Sequence, residues 1–478
     1  MSKYDLGIFI FRKDLRLYDN LALIELCKKS KYVLPIFILD KNQITETSKN
    51  KYYRSDNAVQ YMCESLNDLN KDLKSKLFLF FGEPELIIEK IIKAVTKKFD
   101  NVALSFNSDF TKYSIKRDGD LIKLCKKNKI EYLENTDDQL LVPFNKLLKN
   151  DKSAFISFGA LYKHAIKTKP NQPIKNTYVN YISKTQLPDL AKIEYKISDL
   201  NKFYTNNTNI AQHGNRDNII KSLINRKNIK DYKDKRDNLS YQTSNISASL
   251  NFGLVSVREV YYLVNNNEYR RSLYWRSYYL CILRYVPNAG EYNKYIDSRY
   301  DKIKWKPDLK GWKTLMKSET GYLLIDACIK ELQVTGFLHN RGRLLLSTFW
   351  IKYLLIDSND KKYGSQVGFS KYLIDCCASQ NKLNHEWIVD LDSSGFRYAP
   401  KESIRAGRVI RIDNDQIKKY DKDCIYIKKW LPHLKHVPNK DLQKWDSEIA
   451  KKYNNIHPSY IFDWEERFDQ WIKLTKNI

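Results

Sequence analysis

Residues 6–39 read LGIFIFRKDLRLYDNLALIELCKKSKYVLPIFIL, and the alternation inside this stretch decides the fold. Two apolar runs of strand length, Leu6 to Phe11 and Tyr32 to Leu39, enclose a segment from Asn20 to Lys29 whose apolar residues recur three and four apart, as on a helix. The pattern continues outward. Leu77 to Phe81 and Asn101 to Phe106 read as further strands, and Asn57 to Leu73, Pro84 to Lys98 and Ile115 to Lys127 read as helices. Strands separated by helices predict a parallel, Rossmann-like α/β sheet, and it is expected to occupy residues 1–138. The opening run is short and passes straight into Arg12, Lys13 and Asp14, which excludes a signal peptide or a membrane span there. A soluble, intracellular protein with no membrane partner is expected.

Further along, residues 139–216 lose this regularity. Pro143, Pro170, Pro173 and Pro188 punctuate a polar, Asn- and Lys-rich stretch that reads as a connector wrapped over the surface. From 217 to 478 the apolar spacing is almost wholly helical, as in Val257 to Val264, Tyr269 to Arg284, Tyr322 to Thr335 and His339 to Leu355. The second domain is therefore expected to be all-α. Two domains suit the 478 residues, which are too many for one core of ordinary size.

Composition limits the function classes. Hydrophobic residues at 42% and charged residues at 29% describe a folded globular chain rather than a disordered one. The 83 Lys and Arg against 56 Asp and Glu leave +27. Such a field attracts polyanions, nucleic acid first among them; runs such as Lys97-Lys98 are equally read as solvated helix faces. Eight cysteines without repeated Cys-x-x-Cys pairs describe neither a disulfide scaffold nor a metal site, and adjacent Cys376 and Cys377 bridge poorly.

The chemistry concentrates in the helical half. Thr243-Ser244-Asn245-Ile246-Ser247, followed by Leu250, Gly253, Ser256 and Arg258, sets hydroxyls just ahead of a helix. Hydroxyls and unpaired N–H groups at a helix start bind anions, although Ser and Thr in that place are also plain N-caps. On the helix opening near His339, Asn340, Arg343 and Leu344 share one face. Ser272, Trp275, Arg276 and Tyr279 recur at helical spacing, which joins an aromatic plate to a cation; isolated aromatics at such spacing also serve as core.

These residues, in their order, resemble the photolyase and cryptochrome family. Phe11-Arg12-x-Asp14-Leu15-Arg16-x-x-Asp19-Asn20 is similar to its N-terminal signature, and Tyr232, Arg236 and Asp237 leading into Thr243–Ser247 resemble its flavin diphosphate loop. Leu273-x-Trp275-Arg276-x-x-Tyr279 resembles its lesion-facing helix. Thr320-Gly321-Tyr322, Asp326-Ala327, Thr335 to Arg343, Leu355-Ile356-Asp357 and Trp430-Leu431-Pro432 complete a series that spans nearly the whole chain.

The resemblance implies FAD held by Tyr232, Thr243, Ser244, Asn245, Ile246, Ser247, Arg276, Asn340, Arg343, Asp375, Cys377 and Asn381. Within that set Arg343 and Asp375 would form an ion pair beside the flavin ring, and the Asn381 amide would face flavin N5. It implies that damaged DNA is met by Arg236, Ser272, Trp275, Tyr279, Asn340, Arg341, Leu344 and Trp387, a flipped-out dimer lying between Trp275 and Trp387. Asn340 favours cyclobutane dimers over (6-4) photoproducts, whose repair would call for an imidazole at that position. The implied reaction is light-driven: reduced FAD gives an electron to the dimer, the ring splits and the electron returns. Asn107, Asp109, Tyr113, Arg117 and Asp118 resemble the border of an antenna pocket, which leaves methenyltetrahydrofolate, a deazaflavin or no antenna open. A monomer is expected, and no metal.

The chain also departs from the family pattern. Ser272 and Ser277 stand where acidic residues are usual and Cys377 where an aspartate is usual. Of the three tryptophans that carry electrons to oxidised flavin, Trp305 alone is matched, His385 and Ser358 taking the other places; weak photoreduction by that route is expected, with Trp350, Tyr353 and Trp387 as a detour. Pro400, Lys401, Arg405, Arg408 and Arg411 offer basic contacts without a clear copy of the family's motif. The alternatives to dimer repair are a cryptochrome-like or degenerate FAD- and DNA-binding flavoprotein without repair, and a (6-4) photolyase.

Overall fold

The computed structural model describes residues 2–44, 55–155, 157–225, 231–286, 289–290, 295, 298–375 and 410–475. Five strands, β1 (Tyr4–Phe11), β2 (Ser30–Asp40), β3 (Phe78–Gly82), β4 (Val102–Asn107) and β5 (Glu131–Asn135), form one parallel sheet in the order β3-β2-β1-β4-β5. Helices α1 (Leu21–Lys29), α2 (Asp56–Asp72), α3 (Pro84–Val95) and α4 (Lys112–Lys127) cover its two faces. The side-chain alternation of a strand divides the core: Leu6, Ile8 and Ile10 of β1 pack with Ile88, Ile92 and Leu121 on one face, while Phe9 and Phe11 join Leu23, Ala58 and Tyr61 on the other. Each helix start is chemically marked. Asn20, Ser55 and Thr111 accept the N–H of Leu23, Ala58 and Ser114, and Pro84 stands in the first turn of α3.

Sequence reading supplied four of these strands and missed β5. Its residues, Glu-Tyr-Leu-Glu-Asn, are half-buried or exposed at the sheet edge and leave no apolar run. The punctuated stretch after it carries α5 (Phe158–Ala165), whose Phe158, Leu161 and Ala165 are buried against the helical half.

In the helical half the elements that matter are α6 (Ser247–Phe252), α7 (Val257–Leu263), α8 (Asn267–Tyr285), α9 (Leu323–Thr335), α10 (Asn340–Thr348), α11 (Ile425–Trp430) and α12 (Trp464–Thr475). The helix expected from His339 to Leu355 is not uniform. It starts on an N-cap from His339 and changes to a π-helical turn at Phe349–Tyr353.

A buried ionic joint ties the sheet to these helices. Arg16 Nη2 lies 2.8 Å from Asp138, and Arg258 Nη2 lies 2.9 Å from Asp19, with all four side chains at most 4% exposed. Arg258 Nη1 also donates to the carbonyls of Asp137, Asp138 and Leu140, and Ser256 donates to Asp19. Gly253 makes the close approach possible: at φ +72° it ends α6, and a Cβ there would lie 2.0 Å from the Lys13 carbonyl oxygen. A second approach sits at Gly336 (φ +67°), between α9 and α10, where Asn57 of α2 donates to the Tyr372 carbonyl at 2.7 Å.

Candidate functional site

One cavity of about 570 Å³ opens among α6, α8 and α10, within the size range of cofactor sites. Its walls bring together most of the residues singled out from the sequence: Tyr232, Arg236, Thr243, Ser244, Ile246, Ser247, Ser272, Trp275, Arg276, Tyr279, Asn340, Arg341, Arg343 and Leu344. Asn245, with φ +53°, and Asp375 instead line a smaller adjoining hollow shared with Ser247. Asn381, Cys377, Trp387 and His385 lie outside the described residues, as do Pro400, Lys401, Arg405 and Arg408.

Local structure explains these placements. The capping position of α6 belongs to Ile246, and no side chain caps that helix. Thr243, Ser244 and Ser247 are therefore wall residues rather than plain N-caps. Thr243 donates to Asn245 Oδ1 at 2.9 Å, and Ser244 Oγ accepts from Tyr269 at 2.8 Å. On α10, Asn340, Arg343 and Leu344 line the cavity together, as their spacing requires.

The expected Arg343–Asp375 ion pair is present. Arg343 Nη2 reaches the two carboxylate oxygens at 2.9 and 3.1 Å, and its Nε donates to the Leu338 carbonyl at 2.9 Å, so the guanidinium is fixed in plane. Five arginines line the cavity against two carboxylates among the described residues. The carboxylates are specific partners: Arg341 pairs with Asp237 at 2.7 Å and Arg236 with Glu268 at 3.1 Å. Burial and the neighbouring Arg341 push the His339 pKa down to about 4, so its ring is neutral; its Nδ1 accepts the Arg341 N–H at 3.1 Å.

Two of the substituted positions have their hydroxyls engaged by backbone groups. Ser272 donates to its own helix at the Tyr269 carbonyl, 2.6 Å away. Ser277 is fully buried and accepts the Leu141 N–H at 3.3 Å, away from the cavity. Trp305 does not line the cavity either. It packs on Trp471 of α12 with ring centroids 5.8 Å apart, in a cluster that Leu344 also touches. Ser358 is buried beside Tyr295, and Trp350 donates to the Tyr363 carbonyl.

Sequence reasoning missed Glu268, Arg271, Phe369 and Leu373 as wall residues. Glu268, Ser272, Trp275 and Tyr279 form one stripe at spacings of four and three, so extending that stripe by one turn would have found the first. Also missed was Phe158, which stacks on Trp275 with centroids 3.6 Å apart.

Where the sheet order reverses, beside the ends of β1 and β4, Arg12 lies 2.7 Å from Asp118 and Lys13 lies 3.0 Å from Asp109. The described residues enclose about 60 Å³ there, well below the several hundred Å³ of a pigment site.

The parallel sheet joined to a helical half around an arginine-rich, partly aromatic cavity defines a dinucleotide-binding protein: cations suit a diphosphate, and Ile246, Leu250, Leu273, Phe369 and Leu373 suit flat rings. Comparison agrees in both halves. The family model described as DNA photolyase matches residues 8–177, and that described as FAD binding domain of DNA photolyase matches residues 269–477. The deoxyribodipyrimidine photo-lyase of Synechococcus sp. is 27% identical over 91% of this chain and 89% of its own length. Cryptochrome DASH of Synechocystis sp. is 24% identical over 91% and 89%. The crystal structure of an archaeal photolyase from Sulfolobus tokodaii, with two FAD molecules, superposes with TM-score 0.83 at 29% identity, over 99% of this chain and all of that one. The chain belongs to the photolyase and cryptochrome family, and its cofactor is FAD. Among the described residues no helix is long and apolar enough to cross a membrane.

Proposed function

We propose that this protein splits cyclobutane pyrimidine dimers in DNA under light. When bound, reduced FAD supplies the excited electron for ring opening. The chain's own residues bind and orient. Arg343, locked by Asp375, holds a fixed positive charge; Thr243, Ser244 and Ser247 offer hydroxyls; Trp275 and Tyr279 offer a stacking wall; and exposed Asn340 offers an amide to base carbonyls. Arg236 and Arg341 stand at the same cavity for phosphate.

The observation that carries this reading is that a single cavity is lined by most of the described residues assigned to FAD and by the described residues assigned to the lesion. Relatives named deoxyribodipyrimidine photo-lyase support the enzyme class. Asn340 favours the cyclobutane lesion. The Sulfolobus tokodaii relative holds two FAD molecules, with the implication of a novel light-harvesting cofactor.

The test is to purify the protein, record its visible spectrum, reduce the flavin chemically and illuminate it with DNA carrying each lesion separately. Restoration of cyclobutane sites alone is expected. Restoration of (6-4) sites alone would reassign the lesion. One observation favours a second reading, FAD and DNA binding without repair: Ser272 stands where an acidic residue is usual, and its hydroxyl is spent on its own helix. Lesion binding with no restoration under light would establish that reading instead.

A further inference from the structure

Trp275 lines the cavity, whereas Phe158 does not, yet the two rings lie face to face with centroids 3.6 Å apart and planes 9° apart. No base fits between rings at that separation. Any stacking partner must use the opposite face of the indole, and Phe158 covers the rear. Phe158 is itself immobilised: it is 6% exposed, stacked on Tyr162 at 5.7 Å, and met edge-on by Tyr278 at 5.9 Å. The guanidinium of Arg271, a rim residue of the cavity, lies 5.6 Å from the Phe158 ring and 5.4 Å from that of Tyr162, clamping α5 to α8.

An indole on a half-exposed helix face otherwise samples several rotamers and loses that freedom when a base stacks on it. Backing removes this cost before the ligand arrives. We propose that Phe158 is the positioning residue of the stacking wall, fixing the plane of Trp275 on which a flipped-out pyrimidine dimer lies; this rests on the dimer-repair reading above. The stretch between sheet and helices thus takes part in recognising the lesion.

The test uses the full chain with FAD bound and two oligonucleotides, one carrying a single thymine cyclobutane dimer and one undamaged. Phe158→Leu keeps apolar volume but offers no ring. It is expected to lower the preference for the dimer about tenfold, a fraction of one base–aromatic stack, with undamaged-DNA affinity and the flavin spectrum unchanged. Phe158→Tyr is expected to retain the preference. Phe158→Met, also ringless, is read beside the Leu variant, so that one misfolded variant does not decide the matter. In a Trp275→Ala background Phe158→Leu should have no further effect, because it acts through the indole. Unchanged preference in both ringless variants, or full additivity with Trp275→Ala, overturns the proposal. A wild type without preference for the dimer overturns the repair reading itself, a distinguishable result.

Discussion

Arg236 and Arg341 were read from the sequence as contacts to DNA, and each already holds a carboxylate, Glu268 or Asp237. Charge at these residues is thus partly neutralised until a phosphate competes for it. The Arg343–Asp375 pair was legible because both members stand in recognisable motifs. Glu331 was not, because its setting is wholly tertiary: it is buried between α9 and α11, accepts the Tyr426 hydroxyl at 2.5 Å, and burial lifts its pKa to about 7. The folded protein then keeps a proton that the unfolded chain releases near 4.5. Stability from this group is complete below that value, falls as pH rises toward 7, and is level above, a loss of about 3 kcal/mol in all. Glu331→Gln is expected to remove that slope, so thermal melting followed from pH 5 to 8 should fall less in the variant than in the wild type.

At the level of elements, the parallel sheet was readable because β1, β2 and β4 are apolar runs largely buried on both faces, and β3 keeps an apolar run from Phe78 to Phe81. Composition hid β5: at the edge opposite β3 it sets Glu131, Glu134 and Asn135 around Tyr132 and Leu133 and has no apolar run. The π-helical turn at Phe349–Tyr353 was hidden for another reason: a π turn keeps the residue types of an α-helix and changes only their phase. For α6, the short run that ends at Gly253, the left-handed φ and the Lys13 carbonyl both exclude a side chain. Gly253→Ala is expected to cost about 3 kcal/mol from backbone strain and overpacking together. It should lower the melting temperature by several degrees and loosen FAD, since Ser247 of the same helix lines the cavity; a melting curve and a flavin-retention assay would show both, and an unchanged variant would contradict the packing described.

For the molecule as a whole, the +27 charge and the five cavity arginines predict association with DNA that is largely electrostatic. Affinity for a single-stranded oligonucleotide is expected to fall about tenfold or more between 50 and 200 mM salt. A flat response in a fluorescence-anisotropy titration would remove the cavity mouth as a DNA surface. That Trp305 meets Trp471, and Trp275 meets Phe158, could not be read from the chain, because each pair joins segments more than a hundred residues apart. The ionic joint has a consequence for how such proteins can be recombined. Arg258 belongs to one half of the gene, and Asp19 and Asp138 belong to the other, each too deeply enclosed to be left without its counterpart. Hybrids spliced from two relatives should therefore survive only where both parents present the same charges at this seam.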